Sequence, residues 1–154
     1  MMKHEGYIDI DQSIEVVTHY FIDPAYIGEY QDGFVRKELE SGAQGKNGAV
    51  SKIFYENGKH KMVLTETIIS NELPDSFEAF YHHKHMDNTM KCSFTPLSEE
   101  KTRYQYEFDY TRISWIIPKL MAILFPGMYR KQGEKWVKQF KEAIEKQYLC
   151  GKRN

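Results

Sequence analysis

The chain carries almost no net charge: 21 lysines and arginines against 22 aspartates and glutamates leave −1. Without a basic excess nothing argues for a nucleic-acid partner, and without an acidic excess nothing argues for disorder. Cysteine is scarce. The two present, Cys92 and Cys150, stand far apart without metal-ligand spacing, so a reduced cytoplasmic protein with no metal is expected. The opening Met1-Met2-Lys3-His4-Glu5-Gly6 has no apolar signal core. The longest apolar stretch, Trp115 to Phe125, is broken by Pro118 and Lys119 and is too short to span a bilayer, so no stable membrane insertion is expected. No phosphate-binding loop occurs, and no serine or cysteine sits in a nucleophile elbow. No pattern calls for a cofactor. Linkers, repeats and low-complexity segments are also missing, and 154 residues suit a single domain over 1–154.

Aromatics, by contrast, are plentiful at 14%, and tyrosine leads with 11. Tyrosine suits walls that are apolar along the ring and polar at the tip. Lys3 to Ile10 alternates and reads as a first strand. Asp11 and Ser13 offer N-cap oxygens to a helix carrying Ile14, Val17, Tyr20 and Phe21 at helical spacing. Asp23-Pro24 starts a second short helix through Tyr30, and Asp32-Gly33 ends the pair. Six strands joined by turns follow: Phe34 to Glu40, Ala49 to Glu56, His60 to Ser70, Ser76 to Met86, Thr89 to Leu97 and Thr102 to Ile113. Asn57-Gly58 is the expected type I′ turn of one hairpin, and Asp87-Asn88 is the expected turn of another. Such a succession makes an antiparallel meander.

The last element, about Met128 to Tyr148, puts Tyr129, Trp136, Val137, Phe140, Ala143 and Ile144 on one stripe. That stripe needs a partner, and the concave face of the meander is the large surface on offer. The fold class expected is therefore α+β, a curved antiparallel sheet of seven strands wrapped around a long C-terminal helix, with two short helices after the first strand.

Several short motifs fall in a telling order: Asp23-Pro24 with Tyr30 and Gly33, then Gly42, Gly45 and Gly48-Ala49, then Glu66 and Pro74. Thr102-Arg103 opens the last strand, and Phe140-Lys141 and Glu145 lie on the final helix. In these features, over nearly its whole length, the chain resembles the helix-grip fold of the START/Bet v 1-like (SRPBCC) superfamily. It looks most like the polyketide cyclase/dehydrase and lipid-transport group. The resemblance implies functions ranging from carriers to cyclases, so it does not fix one.

In a sheet gripping a helix, alternate residues face inward. Tyr104, Tyr106, Phe108 and Tyr110 are the expected inward ladder of the last strand, because Arg103, Gln105, Glu107 and Asp109 between them are better solvated. With Tyr81, His83, Met121, Phe125, Trp136 and Phe140 they are the candidate lining of a site for a hydrophobic or aromatic small molecule. The alternative is that the rings fill a solid core. Arg112, at the end of the ladder, is placed to meet an anionic head group or to be a surface charge. His83 and His85 are expected on one strand face, roughly 7 Å apart. His83 is a candidate general base, and so is Glu66, a carboxylate among Met62, Leu64 and Ile68. For Glu66 the competing expectation is an ion pair with Arg36, Lys52 or Arg112. The segment Trp115 to Phe125 reads as a cover for one end, as a gate, or as a docking surface for a membrane or partner. The expected assembly is a monomer or weak homodimer.

Overall fold

The computed structural model describes residues 2–116 and 134–152. Strand β1 (Met2–Ile10) runs into helix α1 (Ile14–Ile22), whose N-cap Ser13 accepts the Val16 amide through its hydroxyl at 3.3 Å. Asp23 then caps a single turn over Pro24–Tyr26, accepting the Ala25 amide at 2.9 Å, and α2 (Ile27–Tyr30) completes the corner. Proline is accommodated there because the amide it lacks has no partner in a first turn.

The meander follows as β2 (Phe34–Ser41), β3 (Val50–Asn57), β4 (His60–Glu72), β5 (Ser76–His83), β6 (Met86–Ser98) and β7 (Lys101–Ile113). The seven strands form one antiparallel sheet in the order β1-β7-β6-β5-β4-β3-β2. The concave side holds α3 (Glu134–Lys152), so the expected helix grip is what forms.

Helix α3 docks through Val137, Phe140 and Ile144, at most 5% exposed and spaced to share one face. Each such side chain contributes about 1.5–3 kcal/mol on burial, which an isolated helix of this length lacks. Phe140 meets Tyr30 edge-on at 4.9 Å and tilts against Tyr104 at 5.5 Å. The next residue, Lys141, donates to the Asp9 carbonyl, and one turn later Glu145 accepts the Asp11 amide at 3.2 Å. At the same corner Thr102 donates to the Gln12 carbonyl at 2.8 Å, and Arg103 clamps Asp9 with bonds of 2.8 and 3.1 Å. The Arg103 guanidinium holds the Asp9 carboxyl below its ordinary range. Phe140, Lys141, Glu145, Thr102 and Arg103 thus tie the helix and the first corner to the sheet.

Two turns differ from expectation. Asn57 ends β3 opposite His60, so the hairpin loop is Gly58-Lys59. Gly58 has φ +61° and among the described residues no non-glycine residue has positive φ, a loop with its left-handed residue first, unlike type I′. The β5–β6 turn is Lys84-His85, since His83 pairs with Met86. Asp87 and Asn88 are therefore strand residues, and His85 shares no strand face with His83. Instead its amide donates to His83 Nδ1 at 3.1 Å.

Candidate functional site

A cavity of about 170 Å³ lies between the sheet and α3. Its walls are largely apolar, with Ile53, Leu64 and Ile68 from β3 and β4, Met86 and Met90 from β6, and Val137 and Phe140 from α3. Across this surface runs a row of directly opposed inward residues from five successive strands: Ser51, Glu66, Tyr81, Asn88 and Tyr110. The row on one side, Ile68, Ala79, Met90 and Phe108, is apolar throughout. Opposed side chains in such a row stand about 5 Å apart, so Glu66, Tyr81, Asn88 and Tyr110 form a polar belt across the cavity floor, with Ser51 beyond its edge.

Two members of this row are bonded to one another. Glu66, 5% exposed, accepts the Lys37 ammonium on Oε1 at 2.7 Å and the Tyr81 hydroxyl on Oε2 at 2.8 Å. Burial, and then the Glu66 charge, push the Tyr81 phenol well above its ordinary range. The other half of the belt is uncommitted. Asn88 and Tyr110, 7% and 8% exposed, line the cavity side by side. Among the described residues neither side chain has a hydrogen-bond partner. Burial pushes the Tyr110 phenol up to about 12, and that of Tyr104 well above the usual value. All three phenols stay protonated near neutrality, as donors. Trp136 stacks on Tyr55 at 5.8 Å at the α3 side, and the Tyr55 hydroxyl donates to Gln31 at 2.6 Å.

No protein-family model matches the sequence, and no curated protein matches it. Solved structures do match in shape. The START superfamily protein of Mycobacterium smegmatis superposes with a TM-score of 0.72 at 12% identity, over 94% of this chain and 98% of that one. The Zhui aromatase/cyclase of Streptomyces sp. R1128 gives 0.71 at 10% identity, over 96% and 95%. The ginseng (Panax ginseng) major latex-like protein 151 gives 0.69 at 16% identity, over 96% and 97%. The fold is the START/Bet v 1-like helix grip.

Within this helix grip, six of the expected lining residues border the cavity: Tyr81, Tyr104, Phe108, Tyr110, Trp136 and Phe140. Glu66 borders it too, but its ion-pair partner is Lys37 rather than Arg36, Lys52 or Arg112. Arg36 pairs with Glu38, and Lys52 with Glu40. Tyr106 is outside the lining. It folds over Gly6 on β1, where a Cβ would stand 2.6 Å from its hydroxyl. His83 is buried but also outside the lining.

Arg112 is a correction with a clear cause. Asn88 opposes Tyr110 and Asp87 opposes Arg112, so β7 carries one extra residue, Thr111. This bulge flips the strand's parity and turns Arg112 to the opposite face. There it grips Asp87 at 2.8 and 3.3 Å and the His83 carbonyl at 2.6 Å, and it is absent from the cavity lining. Met121 and Phe125 lie outside the described residues, as does most of the proposed gate. Trp115, at its start, is 87% exposed. Among the described residues no three acidic, histidine or cysteine side chains gather to hold a metal, and no helix is long and apolar enough to cross a membrane.

Sequence reasoning missed Lys37, Asn88 and Gln31. Asn88 was findable: Met86, Met90, Cys92 and Phe94 alternate on one face, and extending that alternation carries the strand back through Asn88. Lys37 was not, because β2 is exposed along most of its length and has no burial alternation to mark an inward lysine.

Proposed function

We propose that this protein binds a hydrophobic or aromatic small molecule in the cavity between sheet and C-terminal helix, as a binding or carrier protein acting in the cytoplasm. The observation that carries this reading is the uncommitted Asn88–Tyr110 half of the belt set in an apolar wall. A solid core leaves no cavity lined by polar side chains that their neighbours do not engage. A cavity of about 170 Å³ compares with the roughly 150 Å³ that suffices for benzene, and is smaller than the ~300 Å³ at which pockets for drug-sized ligands begin. It suits one ring or a short aliphatic body.

The cyclase or dehydratase reading has less support, although an aromatase/cyclase shares the fold. A general base needs a free lone pair within reach of substrate. His83 lies outside the cavity lining and uses Nδ1 to accept the His85 amide, and Glu66 is already bonded to Lys37 and Tyr81. The test is native mass spectrometry of protein from its own organism, followed by denaturing extraction. A stoichiometric small molecule that disappears in Met90→Trp, with thermal stability retained, is expected. Empty protein that also takes up no aromatic probe would contradict the reading.

A further inference from the structure

We propose that the cavity selects a neutral single-ring aromatic bearing a hydroxyl or carbonyl oxygen, held between the Asn88 amide and the Tyr110 hydroxyl. This rests on the cavity being a binding site and adds the chemistry of its occupant. Asn88 and Tyr110 are a directly opposed pair on β6 and β7, each more than nine-tenths buried, and both line the cavity. Among the described residues neither has a hydrogen-bond partner, so a ligand oxygen seated there satisfies two groups that an apolar ligand leaves unpaired. The amide supplies both a donor and an acceptor, and the phenol a donor, which matches a hydroxyl or a carbonyl.

Charge argues for neutrality. Among the described residues lining the cavity the cation is Lys37, and Glu66 already neutralises it at 2.7 Å. Arg112 is committed to Asp87 on the opposite face of the sheet. A carboxylate entering the cavity would face Glu66 and find no spare cation among the described lining residues, at the cost of its own desolvation. The flanking Met90 and Phe108 would cover the ring faces.

Calorimetric titration of the full chain at pH 7.5 with toluene, p-cresol and p-toluate separates the possibilities. The three probes share a methylated ring and differ in carrying no oxygen, a neutral hydroxyl or an ionised carboxylate. The expected order is p-cresol about tenfold tighter than toluene, from one to two net hydrogen bonds, with p-toluate weakest. Asn88→Leu and, separately, Tyr110→Phe are each expected to bring p-cresol to within about threefold of toluene while toluene still binds. Retained toluene binding also shows that the variant is folded. Equal affinity for toluene and p-cresol, p-toluate binding as well as p-cresol, or a preference untouched by both variants would overturn the proposal and leave the cavity reading standing. Failure of toluene and p-cresol alike to bind would overturn both.

Discussion

Lys37 and Glu66 are each at least nine-tenths covered, with side-chain exposures of 10% and 7%, and they are bonded to one another. In such a pair the attraction mainly offsets desolvation, so removing one partner leaves a buried charge that nothing compensates. Lys37→Met is expected to lower the unfolding free energy by about 3–5 kcal/mol in urea titration. The double change Lys37→Met/Glu66→Leu is expected to recover most of that loss. A single variant as stable as the parent would mean that the pair is hydrated in solution.

His83 carries a second prediction at this scale. Burial lowers its pKa from the ordinary 6.5, and the neighbouring His85, Lys84, His82 and Arg112 act in the same direction. The unfolded chain therefore binds a proton more readily than the folded one. Stability associated with neutral His83 is fully present above about pH 6.5 and is lost as pH falls from there through the depressed folded value. Urea titrations at intervals from pH 7.5 down to 5 should show this decline in the parent and a shallower one in His83→Gln. Parallel slopes would contradict the assignment.

At the scale of elements, the turns separate two uses of glycine. Gly42 and Gly58 both have positive φ, at +80° and +61°. A Cβ at Gly58 meets open space, whereas one at Gly42 would lie 3.0 Å from the Ala49 backbone. Gly58→Ala is expected to cost about 1–2 kcal/mol, the left-handed penalty alone, and Gly42→Ala more. Equal losses by thermal melting would contradict the steric part. Elements legible in the sequence were those whose burial alternates on one face. Strands β3, β4 and β6 and the stripe of α3 are of this kind, because one face meets the core. Turn positions were less legible. Asn-Gly and Asp-Asn favour turns locally, yet strand pairing decided which residues made them, moving one loop to Gly58-Lys59 and the other to Lys84-His85. The Thr111 bulge was invisible for the same reason, since it exists only as a register between β6 and β7.

For the molecule as a whole, the order of elements was enough to read the helix grip, and most of the inward ladder with it. The cavity was not readable, because its volume depends on how closely α3 approaches the sheet. The polar belt was half readable: Glu66 stood out among apolar neighbours, but its alignment with Ser51, Tyr81, Asn88 and Tyr110 depends on four interstrand registers. The proposed function requires that a small hydrophobic molecule enter this cavity. Met62, Met86 and Met90 line it from β4 and β6, so their methyl groups report on its contents. The most direct measurement is a titration of methionine-methyl-labelled protein with p-cresol, followed by NMR. Saturable shifts concentrated in Met62, Met86 and Met90 are predicted; saturating ligand that leaves these three methyl signals unmoved would contradict the proposed function.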